Sequence, residues 1–221
     1  MRRKNSLTLE ESSLSSLPSA KVEIEAIRQL ISNTMALNGG EAKKEKFSAH
    51  LGNYRVLHFA IHGSLSKEVP VLSAIHLSDS QNITVEDSMC QDLRAELVVL
   101  SACNTGRGEV TNGHDMIGFA RVLLAAGVKS VFVSLWSVDD DVTSFLMTRF
   151  YQHLEKEWSP AGTLQAAQLA TQQATRHKVK GFLQGLRTIE PELELTGPTY
   201  GETGSYSHPI YWAPFITINK S

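Results

Sequence analysis

The sequence predicts an α/β protein, a three-layer α/β/α sandwich around a mostly parallel central sheet. Strand-length apolar runs recur at residues 55–63, 96–100 and 129–136 with little polar alternation, the mark of strands buried on both faces. Segments with helical spacing separate them, and strands that alternate with helices pair into parallel sheets. A chain of 221 residues with 42% hydrophobic content can also close one substantial core, burying roughly 70% of the surface its unfolded form exposes.

In chain order, residues 1–17 are Ser-rich, mixed with Glu and Lys, and lack a sustained apolar period, which predicts a flexible leader. A single domain is expected from 18 to 221. Val22, Ile27, Leu30, Ile31 and Met35 fall at helical spacing, with Ser19 placed to cap and Gly39-Gly40 to stop. Ala42, Phe47 and Leu51 mark a second, shorter helix over 41–51. The run 55–63 reads as a strand closed by His62-Gly63, and 70–77 as a strand or half of a hairpin before Asp79. Thr84, followed by Glu86 and Asp87, resembles a helix start, because acids suit the positive helix end.

The central run Glu96-Leu97-Val98-Val99-Leu100 leads straight into Ser101-Ala102-Cys103 and a small, Gly-containing loop. Met116, Phe119, Ala120, Leu123 and Leu124 then form a helical face that stops at Gly127, and 129–136 is the next buried strand. Asp139-Asp140-Asp141 opens a helix with Val142, Leu146, Phe150 and Leu154 on its face. Pro160 suits a first helical position after Ser159, with Leu164, Ala167, Ala170 and Ala174 carrying that helix on. Residues 178–207 hold Gly, Pro, Glu and Thr without a clear period and read as a long loop or insert. The last strand covers 210–218, where Pro214 demands an edge position or a bulge.

Composition excludes several classes of function. A net charge of -2 and a pI near 6.4 give no electrostatic footprint for nucleic acid. Arg2, Arg3 and Lys4 precede serines rather than an apolar segment, so no secretory signal is read, and no apolar run approaches the ~20 residues that span a bilayer. Cys90 and Cys103 are too few for a disulfide scaffold or a thiolate zinc site, which points to a cytoplasmic chain with free thiols. Gly106-Arg107-Gly108 fails as a dinucleotide fingerprint, since Thr111 stands where the third glycine belongs.

Two strands end in residues with acid-base or nucleophilic chemistry: His62 before Gly63, and Cys103 before Asn104-Thr105-Gly106. In open α/β sheets, ligands bind at the carboxyl ends of the strands. If the two strands are parallel neighbours, His62 and Cys103 meet at one edge although they lie 41 positions apart in the chain. A thiol with pKa ~8.5 is mostly neutral at pH 7, so an imidazole that takes its proton, and later returns it to a leaving amine, makes it a nucleophile. The backbone N–H groups of Gly63 and Cys103 are candidate oxyanion donors, because glycine permits close approach.

These residues resemble a known family. His58-Phe-Ala-Ile-His62-Gly63, Leu-Val-Val-Leu-Ser-Ala-Cys103-Asn-Thr-Gly, Gly118-Phe119-Ala120-Arg121 to Ala125-Ala126-Gly127, Val-Ser-Leu-Trp136-Ser-Val-Asp139-Asp140 and His208-Pro209-Ile-Tyr-Trp212-Ala-Pro-Phe215 are similar, in this order, to the CHAT domain. That family is a caspase-like, separase-related group of cysteine peptidases usually attached to tetratricopeptide repeats. The resemblance implies a caspase-like fold, acyl-enzyme proteolysis with His62 as catalytic histidine and Cys103 as nucleophile, no cofactor, a protein or peptide substrate, and other proteins as partners through the repeats. It also implies that Trp136 with Asp139 and Asp140 lines a pocket for a basic residue beside the scissile bond.

Other residues carry blander expectations. His58 shares a strand face with His62 by period two but sits earlier in the strand, as a buried, hydrogen-bonded histidine would. The three acids 139–141 most simply cap their helix. Arg107 and Arg121 keep an acidic substrate preference open, and Cys90, Trp136 and Trp212 serve packing first. Two functional readings follow: a cysteine endopeptidase, or a caspase-like module whose idle dyad leaves it a scaffold for protein interaction.

Overall fold

The computed structural model describes residues 4–10, 18–37, 39–60, 63–64, 74–78, 81–84, 93–101, 113–136, 138–186 and 204–220. Its central sheet has six strands, in spatial order β2 (Thr34–Leu37), β1 (Lys4–Glu10), β3 (Tyr54–Ala60), β7 (Leu97–Leu100), β8 (Ser130–Ser134) and β9 (Phe215–Asn219). Every pairing is parallel except that of β8 with β9. A small antiparallel sheet of β4 (Gly63–Ser64), β5 (Ala74–His76) and β6 (Asn82–Thr84) accompanies it.

The apolar runs become strands because both of their faces are covered. Leu97–Leu100 is buried at all four positions. On one face Leu57, Phe59, Val98, Leu100, Val131 and Val133 pack with residues of α2 (Lys44–His50) and α3 (Gly113–Ala125). The alternate residues Val56, Leu97, Val99 and Phe132 pack on the other face with α1 (Pro18–Leu30), α4 (Asp140–Leu154) and α5 (Pro160–Gln172). Phe132 is fully buried between Phe150 and Phe215, with ring centroids 5.0 and 5.7 Å away. The expected three layers and mostly parallel sheet are therefore observed.

Chain punctuation follows local chemistry. The Asp139 side chain accepts from the Asp141 amide at 3.1 Å and caps α4, and Pro160 opens α5. Gly127 closes α3: its amide bonds to Leu124 O and the Val128 amide to Leu123 O, the two bonds of a Schellman ending, with φ at +110°.

Several expectations need correction. Lys4–Glu10, within the supposed leader, is an interior strand paired with β2 and β3, and Ser6 is fully buried. A strand hydrogen-bonded on both sides draws its stability from its neighbours, so a polar composition does not forbid it. The first helix begins at Pro18, ahead of Ser19, and ends at Leu30; Asn33 then adopts a left-handed φ of 59°, and Met35 belongs to β2. Thr84 ends β6 instead of opening a helix, and residues 85–92 lie outside those described.

Part of the supposed 178–207 loop is also ordered. α6 (Arg176–Leu186) buries Val179 and Leu183, four apart on one face, against Val142, Phe145, Tyr206 and Tyr211. Residues 187–203 lie outside those described. The last segment divides into a short 3-10 turn at Pro209–Tyr211 and an edge strand that starts one residue after Pro214, which satisfies the proline's need for an unpaired N–H position.

Candidate functional site

The carboxyl edge of the sheet is set by the register of its central strands. β3 and β7 are adjacent and parallel, with Val56 opposite Leu97 and Phe59 opposite Leu100. The Ser101 amide continues the ladder by donating to Phe59 O at 3.1 Å. β8 flanks β7 on its other side, pairing Leu100 with Val133. β3, β7 and β8 thus lie side by side, but the run 55–63 is not one strand: β3 ends at Ala60, and Gly63 belongs to β4 of the small sheet.

His62 and Cys103 lie outside the described residues, as do Ser137, Arg107 and Cys90. Gly63 is described, and pairs with Ile75 in the small sheet. Trp136 follows β8 and is 37% exposed; its indole N–H donates to Ile210 O at 3.1 Å, tying the strand end to the final turn. Ser134 Oγ donates to the Trp136 carbonyl at 2.6 Å. Asp139 stands at the head of α4, half-buried, and its carbonyl accepts from both the amide and the hydroxyl of Thr143 at 3.0 Å. Asp140 is the first residue of α4. Trp136, Asp139 and the Ile210 segment are therefore gathered near one end of the sheet.

Negative charge there is felt by neighbours. Burial, reinforced by the carboxylates of Asp139 and Asp141, pushes the Tyr206 phenol up to about 12. Tyr206 packs edge-on against Tyr211, with centroids 5.1 Å apart. His208 Nδ1 accepts from the Ile210 amide at 3.2 Å, so this histidine caps the 3-10 turn.

Below the edge lies a buried polar group. His58 is fully buried on β3, as the sequence suggested; its Nδ1 is 2.9 Å from Tyr151 Oη, and its Nε2 is 3.0 Å from Glu23 Oε1 and 3.3 Å from Ser101 Oγ. Burial first, and then the Glu23 charge, hold the Tyr151 phenol well above its usual range, so its hydroxyl keeps its proton. Glu23, Tyr151 and Ser101 escape a reading of the sequence because Tyr151 and Ser101 are 93 and 43 positions from His58. The one available signal is Glu23 itself, a charged residue four positions before Ile27 on the apolar stripe of α1.

The opposite, amino-terminal edge has a different character. Arg55 places Nη2 and Nε at 2.8 and 3.1 Å from Glu96 Oε2 and stacks its guanidinium 3.9 Å over Trp158. Lys129 reaches Glu96 Oε1 at 3.4 Å. Burial alone would raise the Glu96 carboxyl, but Arg55 and Lys129 outweigh it and hold the group below its ordinary value. Among the described residues, no cluster of His, Cys, Asp and Glu is arranged to hold a metal ion, and no helix is long and apolar enough to cross a membrane.

Comparison with known proteins places this geometry. A family model described as CHAT domain matches residues 2–220. Tetratricopeptide repeat protein 28 of Mus musculus is 23% identical over 220 residues, and that of Homo sapiens 24%, each alignment covering 83% of this chain. The chain spans 9% of the length of these relatives. Among solved structures, the Arg specific cysteine proteinase gingipain R superposes with a TM-score of 0.52 at 10% identity, over 75% of this chain and 41% of that one. The likeness is one of fold: a caspase-like module around a mostly parallel sheet.

Proposed function

The chain belongs to the CHAT domain family, and from that premise we propose that it is a cysteine endopeptidase domain that hydrolyses peptide bonds with a His62/Cys103 dyad. The observation that carries the reading is the β3–β7 register. Phe59 and Leu100 are directly paired, and each stands three positions before its dyad residue in the chain. In this reading the chain runs on for equal lengths from these paired positions, as a His62/Cys103 dyad at one sheet edge requires.

In this reaction the Cys103 thiol gives its proton to His62 and its sulfur attacks the carbonyl carbon. The amides of Gly63 and Cys103 stabilise the resulting oxyanion. Collapse of the tetrahedral intermediate expels the amine, which takes the proton from His62. Water, deprotonated by the same imidazole, then attacks the thioester and releases the new carboxylate. No cofactor is needed in this cycle. Preference for a basic residue beside the scissile bond rests on Trp136, Asp139 and Asp140, grouped at the end of β8, one strand over from β7. Protein or peptide substrates, and partners recruited through attached repeats in a cytoplasmic setting, complete the proposal; neither nucleic acid nor membrane is among the partners.

A panel of fluorogenic peptides varied at the residue before the bond tests it. Turnover of Arg or Lys peptides that disappears in Cys103→Ala is the expected result. Absence of turnover across the whole panel, Asp included, instead favours a caspase-like scaffold with an idle dyad.

A further inference from the structure

The Glu23, His58, Tyr151 and Ser101 cluster has no part in the chemistry just described. All four are buried, with exposures of 3%, 0%, 0% and 7%. Polar groups so thoroughly desolvated cost stability unless paired, and apolar residues of similar size would fill the space more cheaply. Glu23 Oε1 makes no aligned hydrogen bond among the described residues, and its close contact is the imidazole Nε2 at 3.0 Å. The cluster also joins four separate elements. Glu23 comes from α1, His58 from β3, Tyr151 from α4 and Ser101 from the exit of β7.

From this arrangement we infer that the cluster is a positioning device for the dyad, an inference that rests on the peptidase reading above. Ser101 precedes Cys103 by two positions in the chain and His58 precedes His62 by four. In this proposal His58 exchanges no proton with Cys103. It acts by fixing the level of the two strand ends: Ser101 is anchored to β3 through its amide to Phe59 O and through its hydroxyl to His58 Nε2. Tyr151 extends the same hold to α4, twelve residues after the Asp139 cap of the proposed pocket. A shift of about 1 Å in such an arrangement is enough to cost a hundredfold in rate.

Alkylation of the full chain by iodoacetamide at one pH, followed by peptide mass spectrometry, reads the reactivity of Cys103, with Cys90 as the internal reference. His62→Ala slows Cys103 if the dyad exists; if it does not, the peptidase reading fails and this inference falls with it. With that control satisfied, Tyr151→Phe and Glu23→Gln each slow Cys103 about fivefold or more and leave Cys90 unchanged. Tyr151→Phe adds nothing further in the His62→Ala background, because positioning matters only while the imidazole is there. The inference is overturned if both variants react like wild type, or if the Tyr151→Phe effect adds in full to that of His62→Ala. Should Glu23→Gln fail to fold, Tyr151→Phe, which removes one oxygen and keeps the ring, carries the test. Loss of near-UV circular dichroism in both variants shows a folding element instead, and also overturns it.

Discussion

Gly127→Ala is expected to destabilise the domain by about 2 kcal/mol, and the structure says where the cost arises. Gly127 holds φ at +110°, outside the range an L-residue adopts without strain, and such strain costs roughly 1–3 kcal/mol. A Cβ at this position would lie 2.7 Å from Leu93 O, a backbone atom that yields only if the segment entering β7 moves. Against this, alanine restricts the unfolded chain and recovers about 0.4–1 kcal/mol. The Schellman bonds from Gly127 and Val128 to Leu124 and Leu123 would stretch in the process. Urea denaturation followed by circular dichroism measures the difference, with an unchanged slope confirming that the transition stays cooperative. Stability equal to or above wild type would refute the Schellman geometry and the close approach of Leu93.

Other perturbations have expected outcomes. Phe132→Ala removes a ring enclosed by Phe150 and Phe215 and is expected to cost about 3–5 kcal/mol in the same denaturation assay. Tyr206 binds its proton more tightly folded than unfolded, so its contribution is complete below about pH 10 and is lost as pH rises toward about 12; base titration should show wild type losing stability relative to Tyr206→Phe across that window. Glu96 has the opposite sign: its depressed folded value gives stability that is present above the unfolded value of 4.5 and is lost as pH falls through the folded one. The advantage of wild type over Glu96→Gln in acid denaturation should therefore shrink below that value. Cys103→Ala should abolish cleavage and leave the melting temperature nearly unchanged, and a large fall in that temperature would mark the thiol as core.

The central strands were legible because burial on both faces leaves a compositional trace: Leu97-Val98-Val99-Leu100 and Val131-Phe132-Val133 are apolar on either side of the pleat. Caps were equally legible, since Asp139, Pro160 and Gly127 act through their own local chemistry. β1 was hidden for the opposite reason, its Lys4-Asn5-Ser6-Leu7-Thr8 gaining its place from partners at residues 34–37 and 54–60. α6 was obscured by Gly181 and Gly185, both helical here, although Val179 and Leu183 did carry the helical period. Of the candidate site, the Asp139 cap could be read in advance. The partners of His58 could not, because contacts between residues 93 positions apart leave no local pattern.

The dyad is the central claim, and covalent capture tests it most directly. An acyloxymethyl ketone peptide with Arg next to the reactive group should add once to the chain, at Cys103 and not at Cys90, and the adduct should vanish in His62→Ala. No adduct with Arg, Lys or Asp probes, or an adduct at Cys103 that forms equally fast without His62, would contradict the account.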